Sequence, residues 1–189
     1  MTIKRIYVFR KEDFKKWLQK NHDKEKIVEL VIHKRHTGKK FPTHHELMLE
    51  GISFGWIDTI IRRIDENKFI RTFQRRNEKS SWSQNTLKYA GQLIKEKRMT
   101  SHGLAFYKSG KKKKAFDYGI PKNPKVPEDL SKELDKNRKA KENFNNLPKS
   151  IRRTYLRWIL MGKTQKTRHT RTSRVINRMK EKDWRILKF

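Results

Sequence analysis

The chain has 189 residues, a formal net charge of +30 from 50 Lys plus Arg against 20 Asp plus Glu, and no Cys. That length accommodates one compact domain with a helical extension, or two small units, and the missing cysteine excludes disulfides, thiol catalysis and cysteine-ligated zinc. Hydrophobic residues are sparse at 33%, but 5 Trp, 10 Phe and 5 Tyr supply the material of a core, so a folded protein with a heavily charged surface is expected.

In chain order, residues 3–9 alternate as a short strand, and Phe14, Trp17 and Leu18 recur at helical spacing over 11–21 with Asp13 in the first turn. The β-branched run from Ile27 to Ile32 reads as a buried strand, and Gly38 and Pro42 mark the following turn at 37–42. Thr43 caps a helix to about residue 51, with Glu46 completing a capping box. Residues 56–64 and 68–75, either side of Asp65-Glu66-Asn67, form an antiparallel hairpin. A helix over 83–97 turns Leu87, Leu93 and Ile94 inward, and residues 98–110 read as a second short helical stretch after a turn at His102-Gly103.

Residues 111–127 hold four consecutive lysines (111–114) with Pro121, Pro124 and Pro127, the composition of a basic linker. Beyond it the pattern predicts a helix near 128–146, another over 149–161 with a stripe of Ile151, Tyr155, Trp158 and Ile159, and a last over 167–181 with Val175, Ile176 and Met179 inward. The expected architecture is α+β: an N-terminal α+β domain (1–110) around a central antiparallel hairpin, the linker 111–127, and a helical C-terminal region (128–189). No internal repeat is visible.

Charge is unevenly placed. Residues 1–110 carry 25 basic and 12 acidic side chains, residues 111–189 carry 25 and 8, and Lys149 to Lys180 includes eleven Lys or Arg and no acid. Such a surface attracts polyanions through phosphate neutralisation and counterion release; the alternative is a lysine enrichment that serves solubility alone. The N-terminus MTIKRIYVFRKEDF has no apolar signal core, and no stretch approaches the roughly 18 apolar residues of a membrane span, so the cytoplasm is the expected location.

Phe54-Gly55-Trp56-Ile57-Asp58, followed in order by Arg71, Arg75, Arg76, Ser80, Trp82 and Ser83, with Asn85 one place early, resembles the FGWID, RFTPRR and S-x-WS elements of the YdeI/OmpD-associated (OmdA) bacteriocin-protection family. Val126-Pro127-Glu128-Asp129-Leu130 is similar to its VPEDL helix start. Phe144, Leu147-Pro148, Arg152-Arg153, Tyr155-Leu156, Trp158-Ile159, Lys163, Thr167-Arg168 and Arg171 follow its F-x-x-L-P…RR-x-YL-x-WI…K-x-x-x-TR-x-x-R pattern. The resemblance runs from about residue 10 to 180. It departs at Gln74, where the family has proline, at the swapped order of Thr72-Phe73, and at Met161-Gly162. It implies the α+β-then-helical layout and a link to bacteriocin protection or stress response, a phenotype rather than a reaction.

Two candidate sites emerge. Trp56, Asp58, Arg62, Arg75, Arg76, Trp82 and Ser83 combine a carboxylate, guanidinium forks and indole planes, which suits a small polar or anionic ligand; the alternative is an ion pair and core tryptophans. Lys163, Arg168, Arg171, Arg174 and Arg178 make a basic stripe opposite Val175, Ile176 and Met179, suited to a phosphate backbone or an acidic protein. Arg168 and Arg171, as motif residues, have the alternative role of anchoring the last helix on the first domain. No metal or cofactor is expected: His33 and His36 sit among basic residues, and the adjacent His44 and His45 cannot face one ion.

Three readings follow. One is a non-catalytic family member with polyanion affinity, tested by the salt dependence of nucleic-acid binding. A second is an enzyme of unknown reaction at the Asp58 cluster, which needs an open pocket there. The third is an adaptor whose basic tail docks an acidic protein.

Overall fold

The β-branched runs become the strands. A computed structural model describes residues 3–183 and divides the chain into two compact units, 1–116 and 117–189.

In the first unit β1 (Lys4–Tyr7), β2 (Ile27–His33), β3 (Trp56–Arg63) and β4 (Lys68–Arg75) form one sheet in the order β1-β2-β4-β3. β1 and β2 pair in parallel across the connecting helix α1 (Lys11–Asn21), and the other pairings are antiparallel. β2 is buried on both faces from Val28 to His33, as a near-continuous apolar run requires of an inner strand. Its one carboxylate, Glu29, is matched by Arg5 (2.6 Å) and Arg62 (3.1 Å). Phe14, Trp17 and Leu18 of α1 pack with Val28, Leu30, Ile32, Leu47, Trp56 and Phe73; each such side chain, once buried, contributes about 1.5–3 kcal/mol.

Helix α2 (His44–Ser53) begins at the expected capping box: Thr43 Oγ1 accepts from Glu46 N (3.2 Å), and Glu46 Oε2 accepts from Thr43 N (2.8 Å). Beyond α2, helices α3 (Gln84–Lys95) and α4 (Ser101–Lys111) enclose Ile52, Trp82, Ala90 and Leu93. The turn before α4 lies upstream of His102-Gly103, at Lys97, whose φ is 54°. Thr100 caps α4 by accepting from Gly103 N and also donates to Ser53 O (2.7 Å). Gly103 is therefore helical, and its role is close approach: a Cβ there would overlap the Ser53 carbonyl.

In the stretch 111–127, Lys113 donates to the Glu78 carbonyl and Phe116 N to Trp82 O (3.0 Å), within the first unit. Asp117 is buried against Arg157 (2.9 Å), within the second.

The second unit is helical: α5 (Glu128–Asp135), α6 (Arg138–Asn145), α7 (Lys149–Leu160) and α8 (Gln165–Lys180). The single helix expected over 128–146 is two. Asn137 breaks it by accepting from Ala140 N (2.9 Å), the side-chain capping that makes Asn a poor interior helix residue. Leu130, Phe144, Tyr155, Trp158, Ile159, Val175 and Met179 meet in one core, and buried Asn143 donates to Met179 O (2.7 Å). The α+β-then-helical architecture is thus present. Among the described residues no helix is long and apolar enough to cross a membrane.

Candidate functional site

The seven residues grouped around GWID and WS divide among separate roles. Trp56 is fully buried, its Nε1 donates to His22 O (3.3 Å), and its ring meets Trp17 edge-on, so it offers no stacking face to a ligand. Arg62 is held by Glu29 and Arg75 donates to the Asp23 carbonyl. Ser83 caps α3 by accepting from Thr86 N (3.1 Å).

Asp58 has partners outside that group. Its Oδ2 lies 2.9 Å from Arg71 Nη1 and 2.9 Å from His44 Nε2. Burial pushes the carboxyl pKa up, but the hydrogen bonds and charges of His44 and Arg71 outweigh it and leave the group below the usual aspartate range. The sequence held a partial signal for Arg71. Asp58 stands opposite Phe73, and Arg71 is the diagonal neighbour two residues along, within reach of a long side chain. His44 gave none, because the fold of α2 against β3 brings it in. His33 stacks on Phe9 and His36 approaches Asn67, and among the described residues no group of three or more His, Asp or Glu is arranged to hold a metal.

Arg76 and Trp82 do meet. The guanidinium lies 3.7 Å over the indole, and both side chains are buried, Arg76 at 2% exposure. Arg76 N donates to Gly55 O and Nη1 to Ser81 O, each at 2.9 Å. Nε and Nη2 are buried and hydrogen-bond to nothing among the described residues. Burial pushes its pKa down to about 10, against the opposing pull of Asp58's charge.

The basic stripe of the second unit also divides. Arg168 Nε donates to Gly162 O (2.8 Å), and Arg171 Nη1 donates to Trp158 O with its guanidinium 5.1 Å over the Trp158 ring. Arg171 thus serves a carbonyl in the last turn of α7, where helix carbonyls lack internal partners, and Arg168 serves one in the turn that follows. Both hydrogen bonds lie within the helical unit. Arg178 lies 3.9 Å from Asp183. Lys163 and Arg174 are exposed, and neither has a carboxylate partner among the described residues. Lys163, Lys166, Arg168 and His169 line an open groove of about 1000 Å³ at the start of α8, which Glu128 and Asp129 also line.

Residues 123–182 match the family model described as bacteriocin-protection, YdeI or OmpD-associated, and residues 6–106 match one described as a domain of unknown function (DUF8412). The chain belongs to the DUF8412 family, whose match spans more than half of it, and its second unit matches the YdeI/OmpD-associated model. The VPEDL and TR-x-x-R motifs fall in the YdeI/OmpD-associated match, whereas GWID and WS fall in the other. No curated protein and no solved structure matches the chain.

Proposed function

We propose that this YdeI/OmpD-associated family member is a non-catalytic, cytoplasmic polyanion-binding protein, and that its helical unit lies along a nucleic-acid phosphate backbone. One observation supports the reading above others. The outward strip of α8 presents Lys166, His169, Thr170, Arg174 and Asn177, all exposed, with no acidic residue between Lys149 and Lys180. The strip runs about 16 Å at 1.5 Å per residue, enough to follow several phosphates of one strand. Arg171 is half-buried and engaged at the end of α7, so the contacts fall to exposed Lys163, Lys166 and Arg174, with the free edge of Arg168 beside them. The family description brings bacteriocin protection to this reading as the process in which the surface acts.

The test is titration of the full chain with duplex and single-stranded oligonucleotides at several salt concentrations. Affinity should fall linearly with log salt, and Lys166→Ala with Arg174→Ala should reduce the slope by about two for a duplex, roughly one per lost contact. Absence of binding at low salt, or binding without a salt slope, overturns the reading. Capture of an acidic protein that survives nuclease treatment would replace it with the adaptor role.

A further inference from the structure

We propose that the loop after β4 forms a binding site for a small phosphate group, with Arg76 at its base. The site is in the first unit and independent of the polyanion surface on α8. Arg76 lines a cavity of about 350 Å³ together with Ile57, Asn77, Lys79, Ser80 and Ser81. That volume is at the low end for ligand pockets and suits a phosphate or a small phosphate monoester.

The guanidinium supplies the decisive chemistry. Its Nη1 is held by Ser81 O, and Trp82 covers one face of the plane. The two nitrogens left without partners, Nε and Nη2, form the same edge, with N–H bonds running side by side. That edge is the fork which binds carboxylate or phosphate oxygens in pairs. A buried donor without a partner is costly, more so when charged, so a cation placed this way is stabilised by an anion that completes it.

The rim selects the anion. Lys79 is exposed and without a carboxylate partner among the described residues. A second positive charge beside the fork favours a dianionic phosphate over a monoanionic carboxylate. The loop is already shaped to receive it, since Ser80 Oγ accepts from Asn77 N (2.9 Å) and Asn77 Oδ1 accepts from Lys79 N (2.9 Å). Its conformation is therefore held without a ligand, and because Nε and Nη2 are themselves shielded from solvent, the loop must open locally for an anion to reach them. Burial lowers the Arg76 pKa, and the charge of Asp58 offsets that only in part.

The experiment titrates inorganic phosphate into the full chain at fixed ionic strength, following heat and the NMR signal of the Trp82 indole N–H, with acetate as the comparison. Saturable binding with one phosphate per chain and movement of the Trp82 signal are expected. Arg76→Lys, which keeps the charge but loses the fork, should weaken binding at least tenfold, and Lys79→Ala should weaken it severalfold. Because Lys79 is on the surface, its variant stays informative if Arg76→Lys folds poorly. Non-saturable binding, or saturable binding unchanged in both variants, overturns the site; acetate binding as tightly as phosphate overturns the choice of anion. Lys166→Ala with Arg174→Ala should leave phosphate binding unchanged, which separates this result from that on α8.

Discussion

Each unit sets an arginine over a tryptophan, Arg76 over Trp82 in the first and Arg171 over Trp158 in the second, and the two pairs are put to different uses. Arg171 is half-buried and uses its guanidinium to close the end of α7, donating to the carbonyl of the residue whose ring it covers. Arg76 is buried almost completely, stacks closer, and retains an unused edge. A stacked arginine is therefore not by itself a sign of a site. The difference lies in whether the donors are consumed by local carbonyls, and Arg76 leaves a pair unconsumed.

The largest expected effect comes from removing the platform on which one pair rests. Gly110 of α4 faces Trp82 so closely that a Cβ would overlap the indole ring. Because Trp82 is buried, Gly110→Ala should destabilise the first unit by about 2–3 kcal/mol or more, the range for overpacking a close-packed core. The close-packed glycine of the second unit is Gly162, which abuts Arg168 and Ile159 rather than the tryptophan, and its test is Gly162→Ala. Its Cβ would stand 3.0 Å from Arg168 Cγ, a flexible side chain that can shift, although Ile159 O at 3.1 Å limits the relief. A milder loss is expected there. Hydrogen exchange at Leu93 and at Ile176 reads the two units separately, and equal losses would remove the distinction drawn between the platforms.

A smaller effect tests the capping role of Arg171. Arg171→Ala removes a charge-assisted hydrogen bond and a ring contact, and should cost the helical unit about 1–2 kcal/mol. Arg174→Ala, one turn along and exposed, should stay within about 0.5 kcal/mol. Thermal unfolding of the two variants makes the comparison. A neutral Arg171→Ala would mean that its bond to Trp158 O is incidental and that Arg171 belongs with the free cations.

The fold was more legible than the site, for a physical reason. Elements reflect short-range periodicity, so Phe14, Trp17 and Leu18 placed α1, and the Thr43–Glu46 box placed α2. Errors arose where a side chain acts on the backbone locally or a distant group intrudes: Asn137 divides 128–146 by capping, and Gly103 stays helical because Ser53 O packs against it. The grouping around GWID failed for the same reason. Proximity in sequence joined Asp58 to Arg62 and Arg75, but the pairing of the strands sends Arg62 to Glu29, and the sheet and α2 supply Arg71 and His44 to Asp58 instead. Arg76 with Trp82 was recoverable because both flank one short loop.

The smallest predicted effect concerns Asp58, the carboxylate that remains near Arg76 without bonding to it. Its pKa is lowered in the folded chain, so the folded state binds fewer protons at this position than the unfolded state. The stabilisation is complete above the ordinary aspartate range and is lost as pH falls through that range toward the lower folded value. Asp58→Asn should therefore flatten the acid limb of the first unit's stability profile, by less than the loss at Arg171. It should also lower the Arg76 pKa further, since the charge of Asp58 is what offsets the burial of that guanidinium. Thermal unfolding of both proteins between about pH 6 and pH 3 measures the first effect. Parallel profiles would mean that Asp58 is not the group which links protons to folding in this unit, and the field holding Arg76 charged would then have to come from elsewhere.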